Sequence, residues 1–172
     1  MTLSPGLRKL ALIIHLTASV GWIGAVIAYL ALGVSAVASQ EAQTVRAAWI
    51  GMEMTGWYVI VPLAFGSLLT GLVMALGTQW GLFRHYWVLI TLGLTVLCTV
   101  ILLVHMRSVS AAASMAREPD GAHLAHLGGD LLHPGVGLVV LLVIMALNVY
   151  KPRGLTPYGW RKQFEERQLS QP

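Results

Sequence analysis

WVLITLGLTVLCTVILLV, residues 87–104, runs for eighteen residues without a charged side chain or a proline. A bilayer core about 30 Å thick takes roughly 20 apolar residues of helix, each rising about 1.5 Å. This stretch, extended to 86–106, meets that length. So do 10–33, 57–76 and 131–150, and none of the four carries Asp, Glu, Lys or Arg in its interior. The whole chain is 56% hydrophobic and 10% charged, with a mean hydropathy of +0.72. Soluble domains are about 25% charged, so the solvent of this chain is lipid. The expected fold class is all-α: a four-transmembrane-helix antiparallel bundle forming a single integral membrane domain over residues 1–172, with 151–172 as a tail.

The net charge of +4 and pI near 9.6 invite a nucleic-acid reading, and the distribution of the charges excludes it. Arg8, Lys9, Arg84, Lys151, Arg153, Arg161, Lys162 and Arg167 fall on one side of the spans, against Arg46, Arg107 and Arg117 on the other. By the positive-inside rule both termini are expected in the cytoplasm, as for a multi-pass protein of a bacterial inner (plasma) membrane. Ala36-Val37-Ala38 resembles a signal-peptidase site. The apolar run before it exceeds the 7–15 residues typical of a signal peptide, so the first span is expected to stay as an anchor. The one cysteine, Cys98, lies mid-span and cannot form an internal disulfide.

The segment 35–55 reads as an external loop whose middle, 41–50, forms a short helix on the membrane surface with Trp49 at headgroup level. Pro62 is expected to bend the second span, which membrane helices tolerate. The short turn 77–81 makes spans two and three antiparallel neighbours. Residues 107–130 read as a second external loop, mobile through Glu118-Pro119-Asp120-Gly121. Glu53 reads as the acid near a span start, paired with Arg107 or a histidine, or facing water. The tail is expected to end in a short surface helix.

Six histidines remain to be placed. His15 lies inside span one, His85 begins span three, His105 ends it, and His133 begins span four; His123 and His126 fall in the polar loop and read as solvated. His85 and His105 are 20 residues apart, about 30 Å along a helix, so they cannot share a metal. The four therefore form two layers, His15 with His85 and His105 with His133. His15, Ser19, Trp22, Val26 and Tyr29 share one helical seam; Thr91, Thr95, Cys98, Leu102 and His105 share another, with His85 about 100° off it. His133 heads a third with Gly137, Val140 and Ile144. An ionisable side chain inside a membrane is costly unless partnered, which makes His15 the leading functional candidate.

His15 followed a heptad later by Trp22-Ile23-Gly24 resembles the H-x6-W-[IV]-G opening of several bacterial four-helix membrane families. These include the copper-resistance protein D domain and, more loosely, the HemJ-type membrane protoporphyrinogen oxidase, which carries b-type haem. The chain as a whole, through GWYVIVPLAFGSLLTGLV and WGLFRHYWVLITLGLTV, is similar to a bacterial family of predicted integral membrane proteins of unknown function. The resemblance implies His15 as a metal or haem ligand and Trp22 as its packing neighbour. The HemJ-type arginine soon after Trp–Gly has no counterpart in Ala25–Leu30, so protoporphyrinogen oxidation is not implied.

Three functions stand. The first is a b-type haem protein moving electrons within the membrane, with axial imidazoles from His15, His85, His105 and His133 and hydroxyls such as Ser19 beside them. The second is a copper-handling protein using His15, His105, His133, Met52 and Met54 as metal ligands, thioether and imidazole suiting Cu(I). The third is a non-catalytic subunit or scaffold. The expected partners are the lipid bilayer and a redox partner or a second copy of the chain. GxSxG, HExxH and GxxxxGK[ST] do not occur, and no catalytic residue is singled out.

Overall fold

The computed structural model describes residues 4–77, 81–118 and 128–169. The helices are α1 (Pro5–Ala38), α2 (Ala42–Thr55), a π-helical turn (Gly56–Ile60), α3 (Val61–Gly77), α4 (Tyr86–Arg117), α5 (Leu132–Tyr150) and α6 (Pro157–Leu169). Four of the resulting rods are long and apolar enough to cross a membrane: α1, the continuous α2–α3 of 36 residues, α4 and α5. The chain is all-helical, and among the described residues there is no strand beyond one isolated bridge, His85 with Leu155.

Local chemistry sets the ends. Ser4 caps α1, its hydroxyl accepting from the Leu7 amide, and Pro5 occupies the first turn, where its missing N–H is not needed. The α5 helix stops at Lys151, which adopts the left-handed conformation (φ 45°) just before Pro152. Between α2 and α3 the rod does not break. Pro62 cannot donate its backbone bond, and the wide π turn one residue upstream absorbs the irregularity while keeping the axis continuous.

Packing is antiparallel. Gly51 faces Leu32, Gly21 faces Leu63, Gly66 faces Ala18 and Gly71 faces His15, so α2–α3 runs down the length of α1. On α4, Met106 sits over Gly56 while Trp87 packs with Ala75, which fixes α4 antiparallel to the same rod. Such small-residue contacts let membrane helices approach and associate by dispersion. Ile13, Val20, Leu97, Val104, Val136 and Val139 all point outward and give three of the long helices an exposed apolar surface.

Two expectations from hydropathy are corrected. The segment 35–55 is not an external loop with a surface helix at 41–50: α2 is the end of the second rod, and Trp49 is buried in the main core with Trp22, Tyr29, Met52, Met106 and Val109. Nor are residues 107–117 a loop. They continue α4, with Ala112, Ala113 and Ala116 buried against the rest. Alanine favours helix strongly, and small side chains allow close packing without an apolar run that a hydropathy window would register. Polar contacts tie this projecting head together: Trp57 Nε1 donates to Ser110 Oγ at 3.0 Å, Arg46 to the Glu118 carbonyl at 2.9 Å, and Arg117 pairs with Glu53. The partner of Glu53 is thus Arg117, not Arg107 or a histidine. Residues 78–80, most of the turn between spans two and three, and His123 and His126 lie outside the described residues.

The buried alanines give a test. Ala113→Leu forces three extra carbons into a site with no exposed surface, at a cost of about 1–3 kcal/mol. In detergent the unfolding midpoint should fall by roughly 5 °C. Met115→Leu, on the exposed side of the same turn, should leave it unchanged. If the segment were a loop, thermal denaturation would not tell the two variants apart.

At the opposite end, the tail folds back on the segment before α4. Tyr86 donates its amide to the Gly154 carbonyl (3.2 Å), Thr156 donates its amide to Arg84 (3.0 Å) and its hydroxyl to Phe83 (2.5 Å), and Arg84 grips Glu166 with two bonds. The expected terminal helix is α6, and it is docked.

Candidate functional site

Chemistry concentrates at two depths. At the end away from the termini, α4 supplies His105, the first turn of α5 supplies His133, the segment leading into α5 supplies Asp130, and α1 supplies Tyr29. Asp130 Oδ2 accepts from Tyr29 Oη at 2.8 Å and from His105 Nε2 at 2.5 Å. Asp130 Oδ1 faces His133 Nδ1 at 3.8 Å. The two imidazoles stack, with centroids 4.2 Å apart and planes 19° from parallel. One ligand atom each from His105, Asp130 and His133 lies within 4.8 Å of the others.

Burial pushes the Asp130 carboxyl up, but the bonds from His105 and Tyr29 outweigh it and hold the group below its ordinary value. Asp130 is therefore a carboxylate at neutral pH. Its position is set by close approach of backbone to backbone: a side chain on Gly33 would meet the Asp130 carbonyl oxygen at 2.8 Å. Glycine at 33 is what lets this segment lie against α1.

The sequence expectation that His105 and His133 share a layer agrees with this geometry. Their arrangement is a different matter. Two axial ligands must approach one iron from opposite faces of a porphyrin plane, whereas these rings lie face to face and converge on one carboxylate. The pair does not fit a haem clamp. The acid they converge on was missed by reading Glu53 as the acid near a span start: Asp130 stands directly before span four, three residues from His133, and that i, i+3 spacing was the available signal.

Nearer the termini, His15 faces α3. Its Nδ1 lies 3.1 Å from the Ser67 carbonyl oxygen and 3.0 Å from Thr70 Oγ1. Thr70 spends its own proton on the Gly66 carbonyl at 2.5 Å, so toward His15 it can only accept. Both neighbours being acceptors, Nδ1 carries the proton and Nε2 keeps its lone pair. Nε2 has no hydrogen-bond partner among the described residues. Ser19 bonds Ser67 across the same seam at 2.8 Å. Thr95 and Thr99 bond their own i−4 carbonyls and Thr91 its i−3 carbonyl, so these hydroxyls are spent within α4.

His15 lines a cavity of about 450 Å³ between α1, α3, α4 and α5. Trp22, Trp87, Met74, Met145 and Asn148 line it too, in a wall that is mostly apolar. His85 does not line it, so the inner layer brings one imidazole to the cavity rather than two; the His85 ring lies 6.4 Å from that of Trp87. The expected methionine pair does not converge: Met52 is fully buried in the core, whereas Met54 is exposed on the other side of α2. Successive helical positions two apart diverge in this way.

No family model, curated protein or solved structure matches this chain.

Proposed function

We propose that this chain is a multi-pass protein of a bacterial inner membrane, both termini cytoplasmic, that holds a b-type haem in the cavity beside His15 and passes electrons within the membrane. One observation carries the reading: an intramembrane imidazole whose Nδ1–H is anchored to the Ser67 carbonyl and Thr70, leaving a lone pair on Nε2 at an apolar cavity. Axial histidines are held in this way, with the second nitrogen fixed by a backbone carbonyl so that ring angle and tautomer are set in advance. A cavity of about 450 Å³ falls within the range of small-molecule sites. Trp22 and Trp87 offer flat apolar walls, and the thioethers of Met74 and Met145 are within the same cavity. Haem supplies a one-electron couple; the residues supply its orientation, exclude water and tune its potential. The excess of basic residues around the termini supports the orientation. A redox partner or a second copy of the chain would accept the electron.

The test is a reduced-minus-oxidised spectrum of protein purified in detergent after expression with haem supplied. The wild type should show a b-type α band. His15→Ala should lose it, while Thr70→Val keeps the haem and shifts its midpoint potential by weakening the contact to Nδ1. A band that survives His15→Ala, or a colourless wild type, sinks the haem reading and leaves the scaffold.

A further inference from the structure

We propose that His105, Asp130 and His133 form a second site, independent of the His15 cavity, that binds one divalent first-row transition-metal ion.

The argument begins with what the cluster leaves unused. Tyr29 and His105 both bond Asp130 Oδ2, whereas Oδ1 and both nitrogens of His133 make no hydrogen bond among the described residues. His133 stacks on His105 and turns Nδ1 toward the carboxylate oxygen Oδ1 at 3.8 Å. One ligand atom from each of two imidazoles and a carboxylate thus lies within 4.8 Å of the others, His105 coming from α4 and Asp130 and His133 from the start of α5 and the segment before it.

The spacing suits a metal. Ligands at about 2.0–2.1 Å from a tetrahedral ion lie about 3.3 Å from one another. His105 Nε2 lies 2.5 Å from Asp130 Oδ2 and His133 Nδ1 3.8 Å from Asp130 Oδ1, one on either side of that value. Small side-chain shifts reach it. Nitrogen and oxygen donors without thiolate select borderline divalent ions over Cu(I), and the fourth position is open to water. Tyr29 orients the carboxylate from behind, and the Gly33 contact fixes the backbone that carries it. His133 is half-exposed and gives the ion its way in. On binding, the ion takes the place of the hydrogen bond between His105 Nε2 and Asp130.

His133 also makes the test clean, because it takes no part in the bonds among Tyr29, Asp130 and His105. Protein purified without a histidine tag and stripped with chelator would be titrated with Zn(II) by calorimetry and with Co(II) by visible absorption. We expect one ion per chain and d–d bands of a four-coordinate site. His133→Ala should weaken Zn(II) binding at least tenfold with the unfolding midpoint unchanged. His15→Ala should bind Zn(II) as the wild type does, which separates this result from the fate of the haem reading. The proposal is overturned if the wild type binds no Zn(II), if His133→Ala binds as tightly as wild type, or if binding disappears only when His123 and His126 are replaced.

Discussion

Replacing Asp130 by alanine should lower the unfolding midpoint in detergent by roughly 6–12 °C at neutral pH, from a loss of about 3 kcal/mol. The side chain is 7% exposed and joins three helices through Tyr29 and His105. Its removal strands a phenol and an imidazole in a place where water reaches them poorly, and an orphaned polar group costs more than its bond contributed. Asp130→Asn should cost less, because an amide oxygen still accepts from Tyr29. The effect should also depend on pH with a definite sign. The folded pKa of Asp130 is depressed from its ordinary 3.8. Its stabilisation is therefore full above that value and lost as the pH falls through the folded one. Melts of wild type and Asp130→Ala should converge as the buffer is taken below pH 3.8. A gap that stays constant well below that value would mean that packing, not charge, holds the segment.

The membrane spans were legible because lipid imposes a length on apolar sequence, and that demand leaves the same mark in any chain. What hydropathy cannot see is a helix that runs on past its apolar stretch. The run from Arg107 to Arg117 is rich in alanine and serine, so it reads as polar loop even though the α4 backbone bonds continue through it. The same blindness makes 41–50 a surface helix, because Trp49 suggests a headgroup and gives no hint of a buried core. Depth along a helix, by contrast, follows from its rise alone, and the pairing of His105 with His133 was readable from that. The ring orientation was not. It depends on Asp130, which stands outside any apolar period, and on Tyr29, which is 101 residues away from it. Likewise Ser67 and Thr70 fix the His15 tautomer only because α3 lies antiparallel to α1 in one particular register, and no single-span pattern encodes that register.

The register at the other end of α1 depends on Gly33, and Gly33→Val should show it. A Cβ there would meet the Asp130 carbonyl oxygen at 2.8 Å and the Leu131 side chain at 3.0 Å. The Leu131 tip can rotate away, but the carbonyl belongs to the backbone and moves only if the segment moves. Gly129 blocks the retreat, since a Cβ there would meet Val37 at 2.1 Å and the Gly33 carbonyl at 2.6 Å, a sign of how closely the two backbones already lie. Overpacking of this kind costs about 1–3 kcal/mol. Here the displaced backbone also carries Asp130 away from Tyr29 and His105, so the two penalties share a cause. A double-mutant cycle separates that account from simple crowding. If Gly33→Val acts by moving the carboxylate, combining it with Asp130→Ala should cost less than the sum of the two, with a coupling of about 1 kcal/mol or more. Independent effects would add to within about 0.5 kcal/mol, and that sum would show that α1 and the carboxylate cluster are held by separate contacts.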